Sequence, residues 1–111
     1  MSETTKTIQH LNDQFRNRIV THRQGVFVTS GVAALGWEAV ERIIRTVATF
    51  DDFCRRNDPY SEHDFGCFDA EGSQIFFKID YYDRALANLS PNPADPTVTV
   101  RIITVMLAEE Y

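Results

Sequence analysis

The sequence predicts an α+β domain, an about four-stranded, mainly antiparallel sheet with two helices packed on one face. Three observations predict it. Apolar residues recur at helical spacing in the first half, at Ile8, Leu11 and Phe15 and again from Trp37 to Phe50. The second half instead alternates apolar and polar residues on either side of a glycine-bearing turn, which is the pattern of a hairpin. The chain has 111 residues, enough for one core and too few for two.

Taken in order, residues 1–3 are expected to be disordered and residues 4–17 to form a short helix. A strand falls within 18–30, densest at Val26, Phe27, Val28 and Thr29, with Gly25 before it and Gly31 after it. The segment GVAAL leads into a second helix over about 37–50. Its core stripe is Trp37, Val40, Ile43, Ile44, Val47 and Phe50, while Glu38, Glu41, Arg42 and Arg45 lie largely off it. The stretch NDPYSE has turn chemistry, because Pro59 disfavours helix at the residue before it. Strands follow around 62–69 and 73–82, separated by Ala70, Glu71 and Gly72. A three-residue loop ending in a glycine of positive φ would set Asp69 opposite Ser73. That register pairs Cys67 with Ile75, Phe65 with Phe77 and His63 with Ile79 on an apolar, core-facing side. The other side pairs Phe68 with Gln74, Gly66 with Phe76, Asp64 with Lys78 and Glu62 with Asp80. Residues 83–96, with three prolines, form a long connection. From Ile102 to Leu107 the last segment is β-branched and apolar on both faces, which suits a central strand, with a helix as the alternative.

Charge narrows the classes of function. The net charge is −5, but residues 1–50 carry six Lys/Arg against four Asp/Glu, whereas residues 51–111 carry five against twelve. Phosphate backbones are bound by basic clusters, so direct nucleic-acid binding is not expected. No apolar run is long enough for a membrane span, and the N-terminus lacks the basic start and apolar stretch of a secretory signal. A cytoplasmic location is the expectation, with Cys54 and Cys67 as free thiols.

No catalytic set stands out. His63 is the candidate general base, but Cys67 lies four residues away on the same strand, roughly 13 Å along it, too far for proton transfer. The spacing Cys54-x8-His63-x3-Cys67 lacks the paired ligands of structural zinc motifs. No cofactor is expected. Glu62, Asp64 and Asp80 are the candidate oxygen ligands for a divalent cation. With Tyr60, Lys78, Tyr82 and Asp83 they form the expected binding surface, acidic groups interleaved with aromatics, which suits a protein partner. A homodimer through an edge strand is a further expectation.

The blocks LNDQFR, TSGVAAL, NDPYSEHDFGCF, FFKIDYYDRAL and SPNPADPTVTVRIITVMLAEEY resemble a bacterial family of unknown function, over about Leu11 to Tyr111. Its members are small single-domain proteins of chromosomes, plasmids and phages. The resemblance draws attention to Asn57, Asp58, Tyr60, Glu62, His63, Asp64, Phe65, Gly66, Lys78, Asp80, Tyr81, Tyr82 and Asp83, and to Glu109, Glu110 and Tyr111. It differs at GWEAV, where the family more often starts the helix with proline. The function expected from charge and family setting is a small acidic binding protein. It would be an accessory factor of a mobile element that inhibits a host nucleic-acid-binding defence complex, of the anti-CRISPR or anti-restriction type, by protein contact. The alternative is a small enzyme or ligand-binding domain built on the His63 and carboxylate cluster.

Overall fold

A computed structural model describes residues 2–111. They run as α1 (Glu3–Arg18), β1 (Val26–Val28), α2 (Ser30–Ala33), α3 (Trp37–Thr49), β2 (Phe65–Ala70), β3 (Ser73–Tyr82), β4 (Val100–Leu107) and a closing 3-10 turn (Ala108–Glu110). The strands make one mixed sheet in the order β1-β4-β3-β2, with β1 parallel to β4 and the other two pairs antiparallel. The fold is α+β with a mostly antiparallel four-stranded sheet, as the sequence predicts, and the described residues form three α-helices where two were expected. The third is the segment around GVAAL, which closes its own turn after the Thr29 side chain accepts from Val32 N–H.

Helix α1 starts where the Ser2 side chain accepts the Thr5 N–H. Of the residues expected to be disordered, Met1 lies outside the described residues, whereas Ser2 caps α1 and Glu3 begins it. Helix α3 buries Ala39, Ile43, Ile44, Val47 and Ala48. Trp37, expected in that stripe, is 76% exposed. It is the first helical residue, and side chains lean toward the helix N-terminus, so its ring projects beyond the helix end with no preceding turn to cover. The core joins these α3 residues to Phe15, Ile19 and Val32, and to alternate strand residues Ile75, Phe77, Ile79, Ile103 and Val105. Strand β4 lies between β1 and β3, with Ile103 and Val105 buried on the core face and Met106 buried on the other.

The hairpin register differs from the expected one. Ala70 pairs with Ser73, and the turn is Glu71-Gly72, both with positive φ (55° and 77°). That is a two-residue turn whose twist matches the strands, in place of the three-residue loop. Moving the register by one residue turns β2 over. Gly66 now faces Phe77 and Phe68 faces Ile75 on the core side, while Cys67 faces Phe76 and Phe65 faces Lys78 on the outer side. Phe65 and Cys67 were expected in the core and are not there. Phe68 was expected outside, and it packs against Phe50 at 6.2 Å between centroids. Gly66 suits its position: a Cβ there would collide with the rings of Phe77 and Phe50.

The long connection after β3 is tied down locally. Asp83 Oδ1 accepts from the N–H groups of Ala87 and Asn88, and the Thr99 hydroxyl bonds to Ser90 and to the Asn92 carbonyl. Among the described residues no helix is long and apolar enough to cross a membrane.

Candidate functional site

The stretch NDPYSEHDFG is a tight turn wound around Asp58, which is 5% exposed. Ser61 and His63 adopt positive φ (58° and 59°), so the N–H groups of Glu62 and His63 both point at the Asp58 carboxylate, at 3.0 and 3.2 Å. Such a curl of main-chain donors is a natural anion cradle, and here the chain's own aspartate fills it. The histidine does sit between two carboxylates, but not its sequence neighbours. Its Nδ1 lies 2.9 Å from Asp13 of α1, and its Nε2 lies 3.8 Å from Asp58. Its ring stacks on Phe53, centroids 3.9 Å apart and nearly parallel.

Beneath this turn runs a buried polar network that the sequence reading missed. Arg16, 3% exposed, donates to Asp13 and to the carbonyls of Val47 and Phe50, so it caps the C-terminal end of α3. Its guanidinium lies over the rings of Phe53 and Phe77. Asn12, fully buried, donates to the Glu62 carbonyl and the Tyr81 hydroxyl, and accepts from Arg101 Nε. Tyr81 in turn donates to Glu62 Oε1 at 2.9 Å, and burial raises its hydroxyl pKa above the ordinary value. A signal was present. Asn12 and Arg16 share the helix face of Ile8, Phe15 and Ile19, so two polar residues interrupt a buried stripe.

These contacts separate the expected binding residues. Glu62 turns inward to Tyr81 and α1, so it does not pair across the strands with Asp80, because the register expected for that pair is not adopted. Asp80 pairs with Lys78 at 3.4 Å. Asp83 caps the following loop, and the Ala87 N–H is the largest cause of its lowered pKa. Tyr82 is half-buried and bridges to Leu89. Glu62, Asp64 and Asp80 do not assemble as a ligand set: among the described residues no group of three or more His, Cys, Asp or Glu is arranged to hold a metal ion.

Two clefts flank the turn. One, of about 450 Å³, is lined by His63, Asp58, Phe53, Cys54, Arg55 and Ser61, among others. The other, of about 400 Å³, brings Tyr60, Asp64, Lys78 and Asp80 together with Phe65 and Tyr111. Tyr111 is held there because Glu110 anchors the closing turn: its carboxylate accepts from the Thr29 hydroxyl and the N–H groups of Gly31 and Leu107. The Tyr111 ring then packs edge-on against Phe65 and Phe76, each at 5.7 Å. Asp64 stands in this cleft with its pKa raised to about 6, by burial first and then by repulsion from Glu62, Asp58 and Asp80. Among the described residues no Lys, Arg or His forms an ion pair with it.

Fold and site together define a class: a small α+β domain whose first helix anchors an aspartate-centred turn beside an aromatic cleft holding an unneutralised carboxylate. Residues 28–110 match the proteins of unknown function grouped as DUF3768, and the chain belongs to that family. No curated protein and no solved structure matches it. Helix α1, which supplies Asn12, Asp13 and Arg16, precedes the matched span.

Proposed function

We propose that this chain is a small acidic regulatory protein that docks its aromatic cleft onto a basic protein surface, taking a Lys or Arg side chain between Asp64 and the rings of Tyr60, Phe65 and Tyr111. The supporting observation is Asp64 itself. A partly buried carboxylate among three others, with no ion pair to a Lys, Arg or His among the described residues, is unfavourable alone and is relieved by an incoming cation. Exposed tyrosines beside it (Tyr60 at 76% and Tyr111 at 74%) offer cation–π faces. Lys78 is already engaged by Asp80, which leaves Asp64 for the partner.

The partner we infer is a nucleic-acid-binding complex of a host defence system, restrained in the manner of an anti-CRISPR or anti-restriction factor carried by a mobile element. Lys and Arg that hold phosphate are the groups such a carboxylate competes for. The test is affinity capture of host proteins with wild type, Asp64→Asn and Asp80→Lys, followed by nucleic-acid competition on the captured species. A basic protein is expected to be retained by wild type, released by added DNA and lost with both variants. Equal capture by all three proteins would overturn the reading.

A second reading rests on the other cleft. His63, oriented through Nδ1 by Asp13, turns Nε2 toward Asp58 beside that opening, as a general base for a small ligand would. A ligand whose binding is abolished by His63→Ala but not by Asp64→Asn would favour it.

A further inference from the structure

We infer that two copies of this chain associate through β2, edge to edge and antiparallel, about a twofold axis at Cys67. β2 is the outer strand of the sheet. The bond from Ile79 N–H to the Asp64 carbonyl, 2.8 Å, fixes which residues bond inward. With the observed register, Gly66, Phe68 and Ala70 face β3, and the main-chain groups of Phe65, Cys67 and Asp69 point to the open edge. Among the described residues none of those groups has a hydrogen-bond partner.

A row of unpaired donors and acceptors is a template for another strand, and natural edges block it with lysine, proline or a bulge. β2 reads FGCFDA, and the only charge in it is Asp69, next to its end. The opposite edge is a poorer template. β1 has three residues, and the Val26 N–H is already bonded to Arg23.

The register follows from geometry. Antiparallel pairing about a twofold axis sets edge-facing residues opposite edge-facing residues, and only an axis at the middle one pairs all of Phe65, Cys67 and Asp69. Cys67 is the middle of the three. Centred there, Cys67 meets Cys67 and each Phe65 meets Asp69 of the second copy, so every open group on both strands is used. On the core side each Phe68 then stands across from Gly66 of the other copy.

Size-exclusion chromatography with light scattering, in reducing buffer, is expected to show a dimer. Cys67→Lys places two like-charged side chains directly opposite each other, on Cα atoms about 5.5 Å apart. It is expected to be monomeric, as is Cys67→Glu, and an equimolar mixture of the two is expected to recover the dimer. Copper-phenanthroline oxidation of Cys54→Ser is expected to give a covalent dimer that Cys54→Ser/Cys67→Ser does not form, since that Cα separation permits a disulfide. Circular dichroism confirms that each variant is folded. A monomeric wild type at every concentration overturns the proposal, and so does a folded Cys67→Lys that stays dimeric. The pairing uses the main chain of β2, and of its three edge-facing residues only Phe65 also lines the cleft, so a cleft that binds nothing leaves these outcomes unaffected.

Discussion

Replacing Asp64 by Asn is expected to make the protein more stable at neutral pH, with the gain vanishing in acid. The Asp64 carboxyl moves from an ordinary value of 3.8 to about 6, chiefly through burial. The folded chain therefore holds this proton more tightly than the unfolded chain. Its favourable contribution is complete below 3.8 and is lost as the pH rises through about 6, so the full penalty stands above that window. At about 1.36 kcal/mol per pH unit the upper limit is about 3 kcal/mol. Partial exposure and solvent screening reduce it to about 1–2 kcal/mol. Asn keeps the shape of the side chain and an oxygen to accept the residue's own N–H, so the substitution removes charge and little else. Urea unfolding of both proteins across the acid-to-neutral range gives the difference directly. The variant is expected to gain above pH 6 and to converge on wild type in acid. A gap independent of pH, or a wild type that is the more stable protein at neutral pH, would refute the reasoning.

Three further substitutions probe the frame that holds the cleft. Arg16→Met removes the buried guanidinium that Asp13 and the carbonyls of Val47 and Phe50 accept from, and should destabilise by about 1–3 kcal/mol in urea unfolding, the range for losing a partner of buried polar groups. Tyr81→Phe removes the hydroxyl between Asn12 and Glu62, and should cost about 1–3 kcal/mol, read by thermal melting. Gly66→Ala drives a methyl group into the rings of Phe77 and Phe50, an overpacking expected to cost about 1–3 kcal/mol by the same assay.

Strand β3 and helix α3 were legible because each obeys one strong period over many residues, whereas β4 was legible from its β-branched composition alone, with a helix as the alternative. β3 spans Ser73–Tyr82, the limits its alternation predicts. β2 was misplaced for a local reason. Glu71-Gly72 is a two-residue turn with both φ positive, and a glutamate at the first of those positions is a weaker signal than asparagine or aspartate. One residue of slip exchanged Phe65 and Cys67 for Gly66 and Phe68 on the core side. It also dissolved the expected Glu62–Asp80 pair. The polar network was harder to see because its partners lie far apart in sequence: Asp13 meets His63, and Asn12 meets Glu62, Tyr81 and Arg101. Periodicity marks which face of α1 is buried, but not what a buried asparagine bonds to. Of the expected surface, Tyr60, Asp64, Lys78 and Asp80 do share one cleft, joined by Phe65 and Tyr111.

The most direct test is an amide-resonance titration of the protein with a short arginine-containing peptide, run in parallel on wild type and Asp64→Asn. The account predicts perturbations gathered at Tyr60, Asp64, Phe65, Asp80 and Tyr111 in wild type, fading as the pH is lowered through about 6 and absent in the variant. Perturbations of equal size in both proteins, or gathered around His63 and Cys54 instead, would contradict it.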